Sequence, residues 1–214
     1  MSDRYAEIAF SPKVQAHQRL HGSHRAYRGR VEGPADGPEP IGPDERRFLA
    51  QRDSFYLASV GEAGWPYIQH RGGPRGFLRV LDEHTLGFAD FRGNRQYISR
   101  GNLDHSERVA LFLMDYAHRT RLKIFGAARA VEAAEDPELV ARLTPDGYPA
   151  RAERALLIRV EGYDWNCPQH IPQLVPADDV RHAIHELHEK IERLEKENAE
   201  LAEQRAAGAA GDGG

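Results

Sequence analysis

SFYLASVGEAGWPYIQHR, residues 54–71, sets two β-rich runs on either side of a glycine-punctuated tetrapeptide. Ser54 to Val60 and Trp65 to Arg71, joined through Gly61-Glu62-Ala63-Gly64, read as a β-hairpin. The same texture continues outward from it. Phe77 to Leu81 and Thr85 to Ala89 flank a turn at Asp82-Glu83-His84, and Arg108 to Asp115, Arg121 to Glu132 and Ala155 to Tyr163 are further strand-like runs. Six or more antiparallel strands with few helices between them predict a mainly β fold, a closed or partly closed barrel, rather than a parallel α/β sheet. Helical patterns flank the strands at Lys13 to Leu20 after the Ser11-Pro12 start signal, and at Asp44 to Gln51, Arg95 to Asn102 and Pro137 to Arg142. VEGPADGPEPIGP, residues 31–43, carries too much proline and glycine for a regular element and reads as a surface loop.

The chain has 214 residues, enough for one domain with appendages. Its 29 basic and 33 acidic residues give a net charge of -4, which predicts neither a nucleic-acid partner nor a membrane-surface partner. The one cysteine, Cys167, excludes an intrachain disulfide framework and a multi-cysteine metal site, and suits a reducing compartment. No apolar run resembles a signal peptide, and none approaches the roughly 18 apolar residues of a spanning helix, so a cytoplasmic protein is expected.

The C-terminal segment has a different period. Ala177, Val180, Ile184, Leu187, Ile191, Leu194, Asn198 and Leu201 fall at alternating spacings of three and four, the a/d pattern of a coiled coil. Asn198 at an a position would fix register, and Lys190 at g would reach Glu195 at e of a partner helix, which predicts a homodimer. The same stripe would also suit a single helix packed on its own barrel. The expected division is an N-terminal helix and loop over 1–43, a barrel domain over 44–172, a coiled-coil helix over 173–206 and a disordered tail over 207–214.

Four segments could carry chemistry. Gln69-His70-Arg71-Gly72-Gly73-Pro74 ends a strand, with two glycines that permit close approach of a planar ligand and an arginine fork suited to a phosphate or a ring carbonyl. Alone, it reads as simply as a glycine turn with a surface arginine. Asp90 to Asn102 places Arg92 and Arg95 at a strand-to-helix change, where free backbone N–H groups favour anions. Arg119, Arg121 and Lys123 alternate on one strand face, opposite Leu122 and Ile124. Each cluster also suits a solvated basic edge. Asp164-Trp165-Asn166-Cys167-Pro168-Gln169-His170-Ile171 offers a stacking ring and amide partners, but too few ligands for zinc and no legible base for a cysteine nucleophile. No metal site is expected. Phosphate-binding glycine loops, dinucleotide fingerprints, nucleophile elbows and HExxH helices are all missing from the sequence.

Taken together, GWPYIQHRGGPRGF, LGFADFRGNRQYISRGNL, RVALFLMDY, RTRLKIFG and DWNCPQHI resemble the pyridoxamine 5'-phosphate oxidase-related FMN-binding proteins over about residues 44–172, and SPKVQAHQRLHGSHRAY fits the same branch. The resemblance implies an FMN-binding split barrel with flavin at a dimer interface, each site built by both subunits. By position it gives His70, Arg71, Gly72 and Gly73 to the flavin and its phosphate arm, and Asp90, Asn94 and Arg95 to the strand-to-helix turn that binds phosphate. Ser99 and Asn102 would support that helix, and Arg121 stands where a glutamine commonly meets the flavin. Trp165, Asn166 and Gln169 would close the site from the partner subunit. After Ile171 the chain runs PQLVPADDV, without the arginine- and histidine-bearing segment with which the true oxidases grip the vitamin's phosphate. Pyridoxamine-phosphate oxidation is therefore not expected. The implied function is an FMN-dependent oxidoreductase acting on a small molecule, with NADH or NADPH as a candidate electron donor. The alternatives are a non-catalytic flavin or haem protein and a deazaflavin-dependent reductase. No catalytic acid or base is identified; His70 and His170 are proton donors only by type.

Overall fold

Period-two alternation decides which side chains form the core. In β1 (Ser54–Val60) Phe55 and Leu57 are buried while Tyr56 faces outward, and β2 (Pro66–Gly72) pairs with it in the expected hairpin, Ser54 opposite Gly72 and Val60 opposite Pro66. The computed structural model describes residues 3–33, 35–165 and 168–211. Its strands continue with β3 (Arg79–Val80), β4 (Thr85–Phe91), β5 (Arg108–Asp115), β6 (Thr120–Glu132) and β7 (Ala152–Trp165). They form one seven-stranded antiparallel sheet in the order β2-β1-β5-β6-β7-β4-β3. With its flanking helices this is the split-barrel fold that the sequence predicts.

The core face is aromatic at one end. Phe55, Phe77 and Phe88 are each 1% exposed, and their ring centroids lie 5.3–6.0 Å apart in stacked and edge-on pairs. Such pairs add directionality to hydrophobic burial. The other face of β4 is covered as well, by Leu139, Val140 and Leu143 of α6 (Pro137–Leu143). This explains why β4 is buried continuously from Leu86 to Asp90.

The helices before β1 are α1 (Arg4–Ala9), α2 (Pro12–Leu20), α3 (His24–Val31) and α4 (Pro43–Ala50). Ser11 caps α2 through its side chain, as its sequence signal implies. Helices α1 and α3 have no counterpart in the sequence reading, because they are short and polar and are held by tertiary ion pairs. Arg4 contacts Glu161 at 3.2 Å, and Arg30 binds both Asp3 and, at 2.8 Å, Asp164. Several strand and helix boundaries differ from expectation: β3 is two residues rather than five, β7 is longer at both ends, and α5 (Ile98–His105) starts and ends three residues late.

The chain divides into two units, Met1–Asp115 with Arg119–Ile171, and Tyr116–His118 with Pro172–Gly214. The second unit consists mainly of α7 (Ala177–Gly211), which runs past residue 206. Along it Val180, Ile184, Leu187, Ile191, Leu194 and Leu201 are 43–58% exposed, an apolar stripe open to solvent in the single chain. No helix among the described residues is long and apolar enough to cross a membrane.

One glycine ties the N-terminal helices to the barrel. A Cβ at Gly162 would lie 2.5 Å from the backbone nitrogen of Tyr5, closer than any side chain tolerates. Gly162→Val should therefore lift α1 off β7, costing about 1–3 kcal/mol as overpacking usually does. Limited proteolysis should then cut residues 3–32 faster than in the parent chain; an unchanged melting temperature and cleavage pattern would contradict this tie.

Candidate functional site

The register of three strands builds an ion cluster at one end of the barrel. Arg154 of β7 stands opposite Asp90 of β4 on one side and Glu132 of β6 on the other. It donates from Nη1 to Asp90 at 2.9 Å and from Nε to both oxygens of Glu132 at 3.0 and 3.1 Å. Asp90 shares parity with buried Leu86 and Phe88, and Arg154 with Leu156 and Ile158, so both charges point into the barrel end. Arg71 reaches the same carboxylate from β2, its Nη1 2.5 Å from Asp90 Oδ1. It stands opposite core Phe55 in the β1–β2 ladder. Two guanidiniums thus share one carboxylate that is 7% exposed. Burial alone would lower the pKa of Arg154, but the hydrogen bonds it donates to Asp90 and Glu132 outweigh it and hold the group charged.

This cluster floors a cavity of about 230 Å³. Arg71, Arg95, Arg100 and Arg154 line it against two carboxylates, Asp90 and Glu153. The Nε of Arg71, one of the lining residues, is buried and has no hydrogen-bond partner among the described residues. Buried donors are nearly always satisfied, so an unpaired guanidinium N–H in the wall of a cavity lined by four arginines and two carboxylates suits a place for an anionic acceptor. Tyr97 donates to Glu153 at 3.3 Å and accepts from Arg95 at 3.2 Å. Arg95 and Tyr97 both take positive φ, 61° and 54°, so the chain turns sharply at the cavity rim before α5.

The structure brings together some of the residues singled out from sequence and separates others. Arg71, Asp90, Asn94, Arg95 and Ser99 all line the cavity. Ser99 is 2% exposed and donates to Gln69 at 2.7 Å. Asn102, about one turn further along α5, donates to Ser59 at 3.0 Å and does not line the cavity. His70 has the opposite parity to Arg71 and packs edge-on against Tyr56 at 5.7 Å, outside the cavity. Gly72 and Gly73 do not line it either. A Cβ at Gly73 would meet Phe77 at 2.8 Å, so this glycine makes room for a core ring.

Arg121 and Trp165 line a different cavity, of about 630 Å³, beneath the N-terminal helices. Gln169 is on an exposed turn, and Asn166 and Cys167 lie outside the described residues. No group of three or more metal-ligating side chains occurs among the described residues. Arg154, Glu132, Arg100 and Glu153 were not singled out from sequence. A signal did exist for Arg154, a charge at core parity with Leu156 and Ile158.

Residues 41–165 match the family model described as pyridoxamine 5'-phosphate oxidase. None of the curated proteins compared with the chain matches it. Among solved structures, the chain is similar to a Clostridium acetobutylicum protein related to general stress protein 26, of the pyridoxinephosphate oxidase family. The TM-score is 0.45 at 14% identity, over 64% of this chain and 94% of that one. An FMN-binding protein from Syntrophomonas wolfei gives 0.43 at 13%, over 57% and 83%. General stress protein 26 from Bacillus anthracis gives 0.41 at 14%, over 57% and 91%.

The cluster carries a pH dependence. Burial pushes the pKa of Glu132 up, but its hydrogen bonds from Arg100 and Arg154 outweigh that and leave it below its ordinary value of 4.5. A depressed carboxylate stabilises the fold at pH values above its unfolded pKa and loses that contribution as pH falls through its folded pKa. The melting temperature of the parent chain should therefore drop below about pH 4.5 more steeply than that of Glu132→Gln, whose profile lacks this component. Parallel profiles would show that Glu132 is not held ionised by the two arginines.

Proposed function

We propose that this chain, which belongs to the pyridoxamine 5'-phosphate oxidase family, is an FMN-binding flavoprotein that acts as an oxidoreductase on a small molecule. The observation that carries the reading is the cavity lined by four arginines against two carboxylates, with the Nε of Arg71 buried and unpaired among the described residues in its wall. A phosphate monoester fits it: Arg71 would donate from below, Arg95 from the rim, and Ser99 and Asn94 lie alongside as neutral partners. Asp90 would hold Arg71 in place rather than touch the anion, since two carboxylates already balance part of the cavity's charge.

FMN, when bound, supplies the hydride and electron transfer, while the protein supplies binding, orientation and electrostatics. The residues of this chain do the second part. Arg71 and Arg154, fixed by the carboxylate they share, keep the cavity positive without moving when an anion arrives, which is the meaning of preorganisation here. The haem alternative gains nothing from the geometry, because His70 packs on Tyr56 and His170 lies on an exposed turn. NADH or NADPH is proposed as electron donor from the family resemblance alone.

A homodimer is part of the same proposal. The outer face of β1, β2 and β5 leaves Tyr56, Ile68 and Phe112 42%, 64% and 36% exposed around an apolar hollow of about 540 Å³. A contiguous exposed apolar patch of this kind suits an interaction surface. The stripe on α7 offers a second self-complementary seam.

Comparison of FMN with riboflavin, which lacks only the phosphate, tests the reading. Fluorescence titration should give FMN an affinity about 100-fold higher, as expected from one or two charge-assisted hydrogen bonds at about 1.5–3 kcal/mol each. Arg71→Met should lower FMN affinity towards that of riboflavin and leave riboflavin unchanged. Equal affinity for the two ligands in the parent chain would remove the phosphate from this cavity.

A further inference from the structure

The cavity of about 630 Å³ beneath the N-terminal helices is of the size that small-molecule sites have, roughly 300–1,000 Å³. Its walls come from two sources. Tyr5, Phe10, Tyr27 and Arg30 belong to α1, the turn after it and α3, all outside the residues 41–165 that match the family. Arg121, Lys123, Asp164 and Trp165 belong to β6 and β7. Most of the pocket's lining therefore lies outside the residues that match the family.

Its chemistry is aromatic and cationic. Phe10 and Tyr27 meet edge-on at 5.5 Å, and Trp165 is fixed by an edge-on contact with Phe48 at 4.9 Å and by its donation to Glu45 at 2.7 Å. Rings held in this way present set faces to a flat ligand at little entropic cost. Arg30, Arg121 and Lys123 stand against one lining carboxylate, Asp164. Asp164 accepts from Arg30 at 2.8 Å and from Lys123 at 2.7 Å, so it fixes both cations in position. Burial would lower the pKa of Lys123, but its contacts with Asp164 and Tyr5 outweigh that and keep it charged. A guanidinium has five donors and an ammonium three, so each can hold its protein partner and still face a ligand.

We propose that this pocket is a second ligand site, for a planar aromatic molecule carrying one anionic group such as a carboxylate. The ring would lie among Phe10, Tyr27 and Trp165, and the anion would face Lys123 and Arg121. That this ligand is also the molecule on which the flavin acts rests on the function proposed above; that the pocket binds it does not.

Calorimetric titration of the full chain with 2-naphthoate and with its neutral counterpart 2-naphthylmethanol, before and after saturation with FMN, tests the site. Naphthoate should bind once per chain in both states, at least tenfold more tightly than the alcohol. Lys123→Met should erase that preference, and Tyr27→Ala should weaken both ligands. Absence of naphthoate binding, equal binding of acid and alcohol, or loss of naphthoate binding on saturation with FMN would each overturn the proposal, the last by giving the pocket to the flavin. Failure of FMN itself to bind would count against the flavin reading alone, because the titration of the unloaded chain still decides the pocket.

Discussion

The carboxylate of Asp90 joins strands that no hydrogen-bond ladder joins. In the sheet order β2 lies at one edge and β4 next to the other, and the contact from Arg71 to Asp90 spans the gap between them at one end of the barrel. The same carboxylate holds Arg154, which in turn engages Glu132 on β6. Arg71, Asp90 and Arg154 keep only 9–12% of their side-chain surface exposed. Removing one partner from a buried pair typically costs about 3–5 kcal/mol, because an uncompensated charge stays behind. Here the loss of Asp90 would leave two guanidiniums facing each other. The barrel end and the arginine-lined cavity thus depend on one group.

That dependence explains how structure and function come to share residues. A barrel end closed by leucines would be as stable or more so, since hydrophobic replacement of buried ion pairs is often neutral or favourable. What the ions add is a positive, rigid floor over the aromatic trio of Phe55, Phe77 and Phe88. Arg71 then has its Nη1 committed to the fold, while its buried Nε finds no partner among the described residues.

Much of this was legible in the sequence, for physical reasons that can be traced. The β1–β2 hairpin follows from strand alternation around a glycine turn, and Arg71, Asp90, Asn94, Arg95 and Ser99 come together because the turns that place them are punctuated by glycine and asparagine. His70 could not share that cavity with Arg71, since neighbours in a strand face opposite ways. Arg154 and Glu132 were hidden because their partners are set by register across β4, β7 and β6, which no local pattern reveals. Helices α1 and α3 were hidden for a related reason. Their residues carry little apolar periodicity, and what holds them is the binding of Arg4 to Glu161 and of Arg30 to Asp164, more than a hundred residues away. The heptad of α7 was plain, because a period of seven needs no tertiary information.

The central claim is that this chain carries FMN. The most direct measurement is the absorbance of the purified full-length protein from 300 to 600 nm, with mass identification of the chromophore released by heat. The account predicts a flavin spectrum, and a released mass equal to that of FMN at about one per chain. A protein that is colourless and stays so after incubation with FMN, or one whose released chromophore is haem, would contradict it.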